Sequence, residues 1–245
     1  MKAILICFFG TTHEDAYKKS ILPIIERTKL EYGTEYEIEF CYTSRMISKV
    51  LKNRGIDVKN EIEAMEALSK KGCDDIIAFC THIIPGFEYE KISELKKEYP
   101  SLKVSSPLIT PETVSQFAES VDFGEEEILF MGHGTNHRMD ILYDNLADCY
   151  KKIGKVNIHI ATVEGKRDLH FIMPELEKVK DKRLILRPFM LVAGDHAKND
   201  MAGDEEDSWK NILTNAGFNV ETQLKGLGEE NIIRDLFFER LKEEL

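Results

Sequence analysis

The chain has 245 residues, 42% of them hydrophobic and 31% charged, with a formal net charge of -11. That length suits one large domain or two of ordinary size, and the apolar share excludes a disordered chain. The acidic balance argues against nucleic acid and anionic membrane as partners, because both need a basic surface; an acidic small molecule can still be held by a few placed Arg or Lys side chains.

In chain order, the first apolar run is Ala3 to Phe9. It is far shorter than the ~20 residues a bilayer requires. It ends in Gly10-Thr11-Thr12-His13-Glu14-Asp15, the pattern of a buried strand entering a helix rather than of a signal-peptide cleavage site. The expectation is a cytoplasmic protein with no export and no membrane span. Further strands are expected at 36–42, 75–80, 102–105, 127–131, 156–162, 183–190 and 218–222. Amphipathic helical patterns fall at 14–30, 60–71, 88–98, 137–152, 205–216 and 229–244, with a short helix at 113–119 after Pro111. Continuous apolar strands alternating with helices predict an α/β fold with parallel sheets. The five cysteines (Cys7, Cys41, Cys73, Cys80 and Cys149) form no C-x-x-C pair. They read as reduced core residues, not as a disulfide or zinc framework.

The chain also reads as internally doubled. Ile4 to Thr11 aligns with Ile128 to Thr135, Ile38 to Ser44 with Ile158 to Glu164, and Ile76 to Glu88 with Leu184 to His196. The expected architecture is two similar α/β halves with parallel sheets facing across a central cleft. The first half is 1–123, joined by the C-terminal helix 229–245, and the second is 124–228. Ligands of such sheets sit outside the carboxyl ends of the strands. The matched ends put Phe9 opposite His133, Ser44 opposite Glu164 and Glu88 opposite His196, so the reactive side chains concentrate in the second half.

His133 lies between two glycines at the end of a buried strand, a setting that favours function over packing. His137 either shares its face or is a solvated residue at a helix start. Glu164 reads equally as a hard metal ligand and as an acid at a helix N-terminus. His196 enters a turn with Asp195, which either orients the ring or caps a helix. Glu88 is either a ligand for metal or a pyrrole nitrogen or a first-turn helix acid, and His82 reads as a core histidine. His13, His159 and His170 do not cluster. Two His and one Glu make a borderline-to-hard donor set for divalent Co, Ni, Fe or Zn, and a poor one for Cu(I). No nucleotide-binding motif and no nucleophile elbow is present.

The segments Cys7-Phe-Phe-Gly-Thr11, His82-Ile-Ile-Pro-Gly-Phe-Glu-Tyr-Glu-Lys91, Phe130-Met-Gly-His-Gly-Thr135, Val163-Glu164, Met190 to Ala202 and Asp207-Ser-Trp-Lys210 resemble the anaerobic-pathway sirohydrochlorin cobaltochelatases, which are single-chain, ATP-independent class II chelatases. The likeness runs nearly the whole chain, and 190–210 is its most specific block. It implies a chelatase-like fold, with His133 as proton acceptor and metal ligand, Glu164 and His196 completing a cobalt site, and Glu88 as an acid facing the tetrapyrrole. The substrate-binding set expected from it is Phe9, Gly10, Thr11, Glu88 and Gly194. The chain departs from the family pattern at Gly165-Lys166 and at Pro85. The implied reaction is Co²⁺ insertion into sirohydrochlorin in anaerobic cobalamin biosynthesis. The metal is a substrate, Ni²⁺ or Fe²⁺ are the alternatives, and no nucleotide takes part. Arg45 and Arg138 are candidate partners for substrate carboxylates, or else surface charges. Competing readings are a nickel or iron chelatase, a non-catalytic metal or tetrapyrrole carrier, and a two-lobed small-molecule binding module. A homo-oligomer stays open.

Overall fold

The structure, a computed structural model, describes residues 1–245 and divides into two compact units: Met1–Leu108 with Asn231–Leu245, and Ile109–Glu230. The first unit contains β1 (Lys2–Phe8), α1 (Glu14–Ala16), which continues through a π-helical turn (Tyr17–Ile21) into α2 (Leu22–Tyr32), then β2 (Glu37–Tyr42), α3 (Arg45–Asn53), α4 (Glu61–Lys70), β3 (Asp75–Cys80), α5 (Phe87–Glu94) and β4 (Lys103–Val104). The second contains α6 (Val114–Ser120), β5 (Ile128–Gly132), α7 (Ile141–Lys152), β6 (Ile158–Thr162), α8 (Leu169–Leu176), β7 (Arg183–Phe189), a π-helical turn (Ala197–Met201), α9 (Trp209–Asn215) and β8 (Asn219–Thr222). The last helix, α10 (Asn231–Lys242), returns to the first unit.

Each unit is built on one four-stranded sheet, ordered β2-β1-β3-β4 and β6-β5-β7-β8, with every pairing parallel. The registers repeat as well. Phe8 pairs with Tyr42 as Gly132 pairs with Thr162, and Ala78 pairs with Val104 as Leu186 pairs with Thr222. The sequence doubling is therefore a doubling of sheet geometry. Parallel strands covered by helices on both faces lose contact with water, and β5 and β6 are buried throughout. Phe130 stacks edge-on to Phe189 in the core of the second unit, and Phe79 meets Phe238 of α10 in the first.

All eight expected strands form. The unit boundary lies at Leu108/Ile109 rather than after residue 123. The reason is packing: Phe117 of α6 meets Phe189, and Phe123 meets Phe130, so this stretch belongs to the second core. Two helices lie outside the patterns read from sequence. One is α3, a nine-residue helix whose apolar side is short and only half-buried, with Leu51 alone fully buried. The other is α8, which carries Pro174 inside it and is held at its start by Asp168, accepting from the Phe171 N–H at 2.7 Å.

All five cysteines are unpaired. Cys41, Cys7 and Cys80 are neighbours in register on adjacent strands and are fully buried. Burial, helped by hydrogen bonding to the other two thiols, pushes the Cys7 thiol well up.

On β6, buried His159 is held between two carboxylates, with Nδ1 at 2.7 Å from Glu175 and Nε2 at 3.0 Å from Glu127. The hydrogen bond from His159 lowers the Glu175 carboxyl to about 2, against the opposing effect of burial and with help from Lys151. A depressed carboxyl stabilises the fold fully above its unfolded pKa of about 4.3 and loses that contribution as pH falls toward the folded value. Glu175→Gln should therefore lower stability at neutral pH, and the gap to wild type should narrow below about pH 4.3, read by urea denaturation across pH.

Candidate functional site

In the second unit β5 is flanked by β6 on one side and β7 on the other, so the chain reverses its direction of sheet growth there. The carboxyl edge at such a switch point is where open α/β sheets hold ligands. His133 follows β5, Glu164 follows β6 and His196 lies in the loop after β7. The backbone ladder runs on past the strands: Val163 N–H donates to Gly132 O at 3.0 Å, and Glu164 N–H donates to His133 O at 2.8 Å. Neighbouring backbone thus sets His133 and Glu164 side by side, with His133 Nδ1 at 3.8 Å from Glu164 Oε2. The His133 and His196 rings meet edge to face, centroids 4.8 Å apart.

One donor atom from each of His133, Glu164 and His196 lies within 4.8 Å of the other two. Donors held about 2.0–2.2 Å from one ion in a tetrahedral arrangement are about 3.3–3.6 Å apart, so the three must draw together by roughly 1 to 1.5 Å to share an ion. Three protein donors leave coordination positions open, as in sites where a metal reacts. The side chains are partly exposed, which gives an ion access.

The ring contacts fix the tautomers. His133 Nδ1 is 2.8 Å from Gly134 O, which can only accept, so Nδ1 carries a proton and Nε2 holds the lone pair of the neutral ring. His196 Nδ1 is 2.6 Å from Asp200 Oδ2, which puts its lone pair on Nε2 as well. Asp195, read from sequence as orienting the ring or capping a helix, accepts from the Asn199 side-chain amide at 3.0 Å, and the contact to the His196 ring is made by Asp200. The available signal was the four-residue spacing of His196 and Asp200, one turn apart on the same helical face.

The other expected residues separate by unit. Gly194 is buried in the loop after β7 and accepts from Lys198 N–H. Phe9, Gly10, Thr11 and Glu88 belong to the first unit. Glu88 sits in the first turn of α5, and both its oxygens accept from Lys91 Nζ, at 2.7 and 2.8 Å. Arg45 pairs with buried Glu61, and Arg138 is exposed. His82 is buried with Nε2 on the Thr43 hydroxyl, and burial lowers its pKa to about 4. His137 is buried rather than solvated, and its Nδ1 accepts from Met139 N–H at the start of a 3-10 turn.

A two-unit parallel α/β protein with an open His-Glu-His donor set at the carboxyl edge of one sheet is of the kind that handles a divalent metal ion. The family model described as cobalt chelatase (CbiK) matches residues 2–245, and the chain belongs to that family. It is 32% identical to the sirohydrochlorin cobaltochelatase of Salmonella typhimurium, across 100% of this chain and 96% of that one. It is 26% identical to the sirohydrochlorin cobaltochelatase CbiKC of Nitratidesulfovibrio vulgaris, across 98% and 89%. Among solved structures, SirB from Bacillus subtilis with Fe³⁺ superposes with a TM-score of 0.63 at 16% identity, covering 99% of this chain and 95% of that one, which shows the shared fold.

Close approach of the ligand loops depends on glycine. Gly134 has φ +75°, and a Cβ there would lie 2.2 Å from the Gly165 nitrogen. Gly134→Ala should destabilise the protein by at least about 1–2 kcal/mol, the cost of the left-handed conformation before any clash. Urea denaturation measures it.

Proposed function

We propose that the chain is a sirohydrochlorin cobaltochelatase, inserting Co²⁺ into sirohydrochlorin with loss of two protons in anaerobic cobalamin biosynthesis, and that His133, Glu164 and His196 hold the ion before transfer. The observation that carries this is the convergence of three donors from three adjacent loops at one sheet edge, within 4.8 Å, in a chain of the cobalt chelatase family.

Metal insertion needs the incoming ion stripped of part of its water, held loosely enough to leave, and offered to the macrocycle as two inner N–H protons depart. Imidazole and carboxylate donors suit a borderline divalent ion without the grip of thiolates. The protons need an acceptor that works near neutral pH, for which imidazole is the natural side chain. His133 or Glu88 accepts protons in this scheme. The substrate-contact set that the family resemblance implies is Phe9, Gly10, Thr11, Glu88 and Gly194. No nucleotide is used: metal–nitrogen bond formation drives the step, in keeping with a sequence that carries no phosphate-binding motif. Five unpaired cysteines fit a reducing, cytoplasmic compartment, and no helix is long and apolar enough to cross a membrane.

Ni²⁺ or Fe²⁺ insertion is the second reading, since the same donors take either ion. Competition among the three metals with purified protein and sirohydrochlorin decides between them. His133→Ala and His196→Ala should each abolish Co²⁺ insertion, followed by the absorbance change of the tetrapyrrole, while thermal unfolding stays cooperative. Normal turnover in either variant overturns the assignment of the ligands.

A further inference from the structure

The two units allow an internal comparison, because the loop after β1 and the loop after β5 are built alike. Gly10 and Gly134 both have positive φ, at 110° and 75°. Thr11 Oγ1 accepts from His13 N–H at 3.1 Å, and Thr135 Oγ1 accepts from His137 N–H at 3.1 Å. Beyond the first strand pair the match continues: Ser44 N–H donates to Phe9 O as Glu164 N–H donates to His133 O. Three residues past His13 comes Ala16; three past His137 comes Asp140. The residue after Ser44 is Arg45, which opens a helix; the residue after Glu164 is Gly165, which stays in a loop.

These two differences meet in space. Asp140 is 92% buried, at 8% relative exposure. Its Oδ1 accepts from Thr135 N–H at 3.0 Å, and its Oδ2 accepts from Lys166 N–H at 3.0 Å. One carboxylate therefore ties the loop carrying His133 to the loop carrying Glu164. A Cβ at Gly165 would lie 2.5 Å from Asp140 Oδ1 and 2.4 Å from Thr162 Oγ1, so the carboxylate fits only because residue 165 has no side chain. Tyr143 closes the other flank. Its ring lies where a Cβ on Gly132 would be, and burial raises its phenol against opposing backbone hydrogen bonds at Gly134 and His133.

We propose that Asp140 is a positioning residue for the metal ligands, spanning the His133 and Glu164 loops so that both donors are set before an ion arrives. The proposal rests on the metal-site reading above. The unit with Phe9 and Ser44 in place of the ligands has no acid here and no glycine to admit one, so the bridge goes with the ligand set and not with the fold. Each N–H takes a different oxygen of the carboxylate, one from each loop. Asparagine offers one acceptor oxygen and turns an N–H donor toward the second backbone N–H.

The test is a Co²⁺ titration of the full chain, by calorimetry and by the visible absorption of bound Co²⁺, on wild type, H133A, D140N, G165A and N60A. Asn60 also accepts two backbone N–H groups, at the start of α4 in the first unit, so N60A reports the loss of an equivalent fold contact away from the ligands. Wild type should bind and H133A should not. D140N and G165A should bind about tenfold or more weakly with an altered Co²⁺ spectrum, the range found when a group supporting metal ligands is lost. N60A should lower the melting temperature with Co²⁺ affinity and spectrum unchanged. If wild type fails to bind, or H133A binds equally, the metal-site reading fails. If wild type binds through His133 and a folded D140N or G165A matches its affinity and spectrum, the role of Asp140 is overturned. Should D140N not fold, G165A, which perturbs the same bridge from the opposite loop, decides alone.

Discussion

The hydrogen bond from Glu164 N–H to His133 O is the contact from which the site follows. It is one rung of the parallel ladder between β5 and β6, carried beyond the last residues of either strand. Strands pair at fixed spacing, so two residues far apart in sequence become neighbours with no flexible segment to adjust. The third donor, His196, comes from the loop after β7, the strand on the other side of β5. A sheet ordered β6-β5-β7 brings the three loops to a single edge, and the sheet core is a rigid platform for them. The clustering of the three side chains is a by-product of strand order.

The twin sheet shows what strand order does not supply. Its ladder also runs on, from Ser44 N–H to Phe9 O, and its first loop also turns at a glycine with positive φ. It carries no comparable donor set. Fold and side-chain chemistry therefore separate within one chain: the doubling provides two similar platforms, and a handful of loop positions give one of them the cluster of His133, Glu164 and His196. Gly165 and Asp140 are among these positions, although neither is a metal donor.

The strands were legible because buried parallel strands are continuous apolar runs, and the doubling was legible because loop residues such as Gly10-Thr11 and Gly134-Thr135 recur after matching runs. The three donors could be named because each stands directly after or near such a run. The sequence could not show that Asp200 rather than Asp195 reaches His196, since both are acids within a turn of it and only side-chain direction separates them. Nor could it show α3, which buries a single residue, or α8, where Pro174 hides a helix anchored by Asp168. The unit boundary shifted for a similar reason: Phe117 and Phe123 are apolar in either half, and the core they join is settled by packing partners far along the chain.

The row of Cys41, Cys7 and Cys80 bears on metal traffic through the chain. A thiolate binds cobalt, nickel and iron more tenaciously than imidazole or carboxylate, and a protein that must release its ion gains nothing from a stronger competitor nearby. Sealed in the interior, these sulfurs behave as small hydrophobes, and burial pushes the Cys7 thiol, the middle one, away from its nucleophilic thiolate form. The same burial slows their oxidation by restricting access to oxidants. Cargo reaching the molecule is thus spared the sulfur trap that its own strands would otherwise contain.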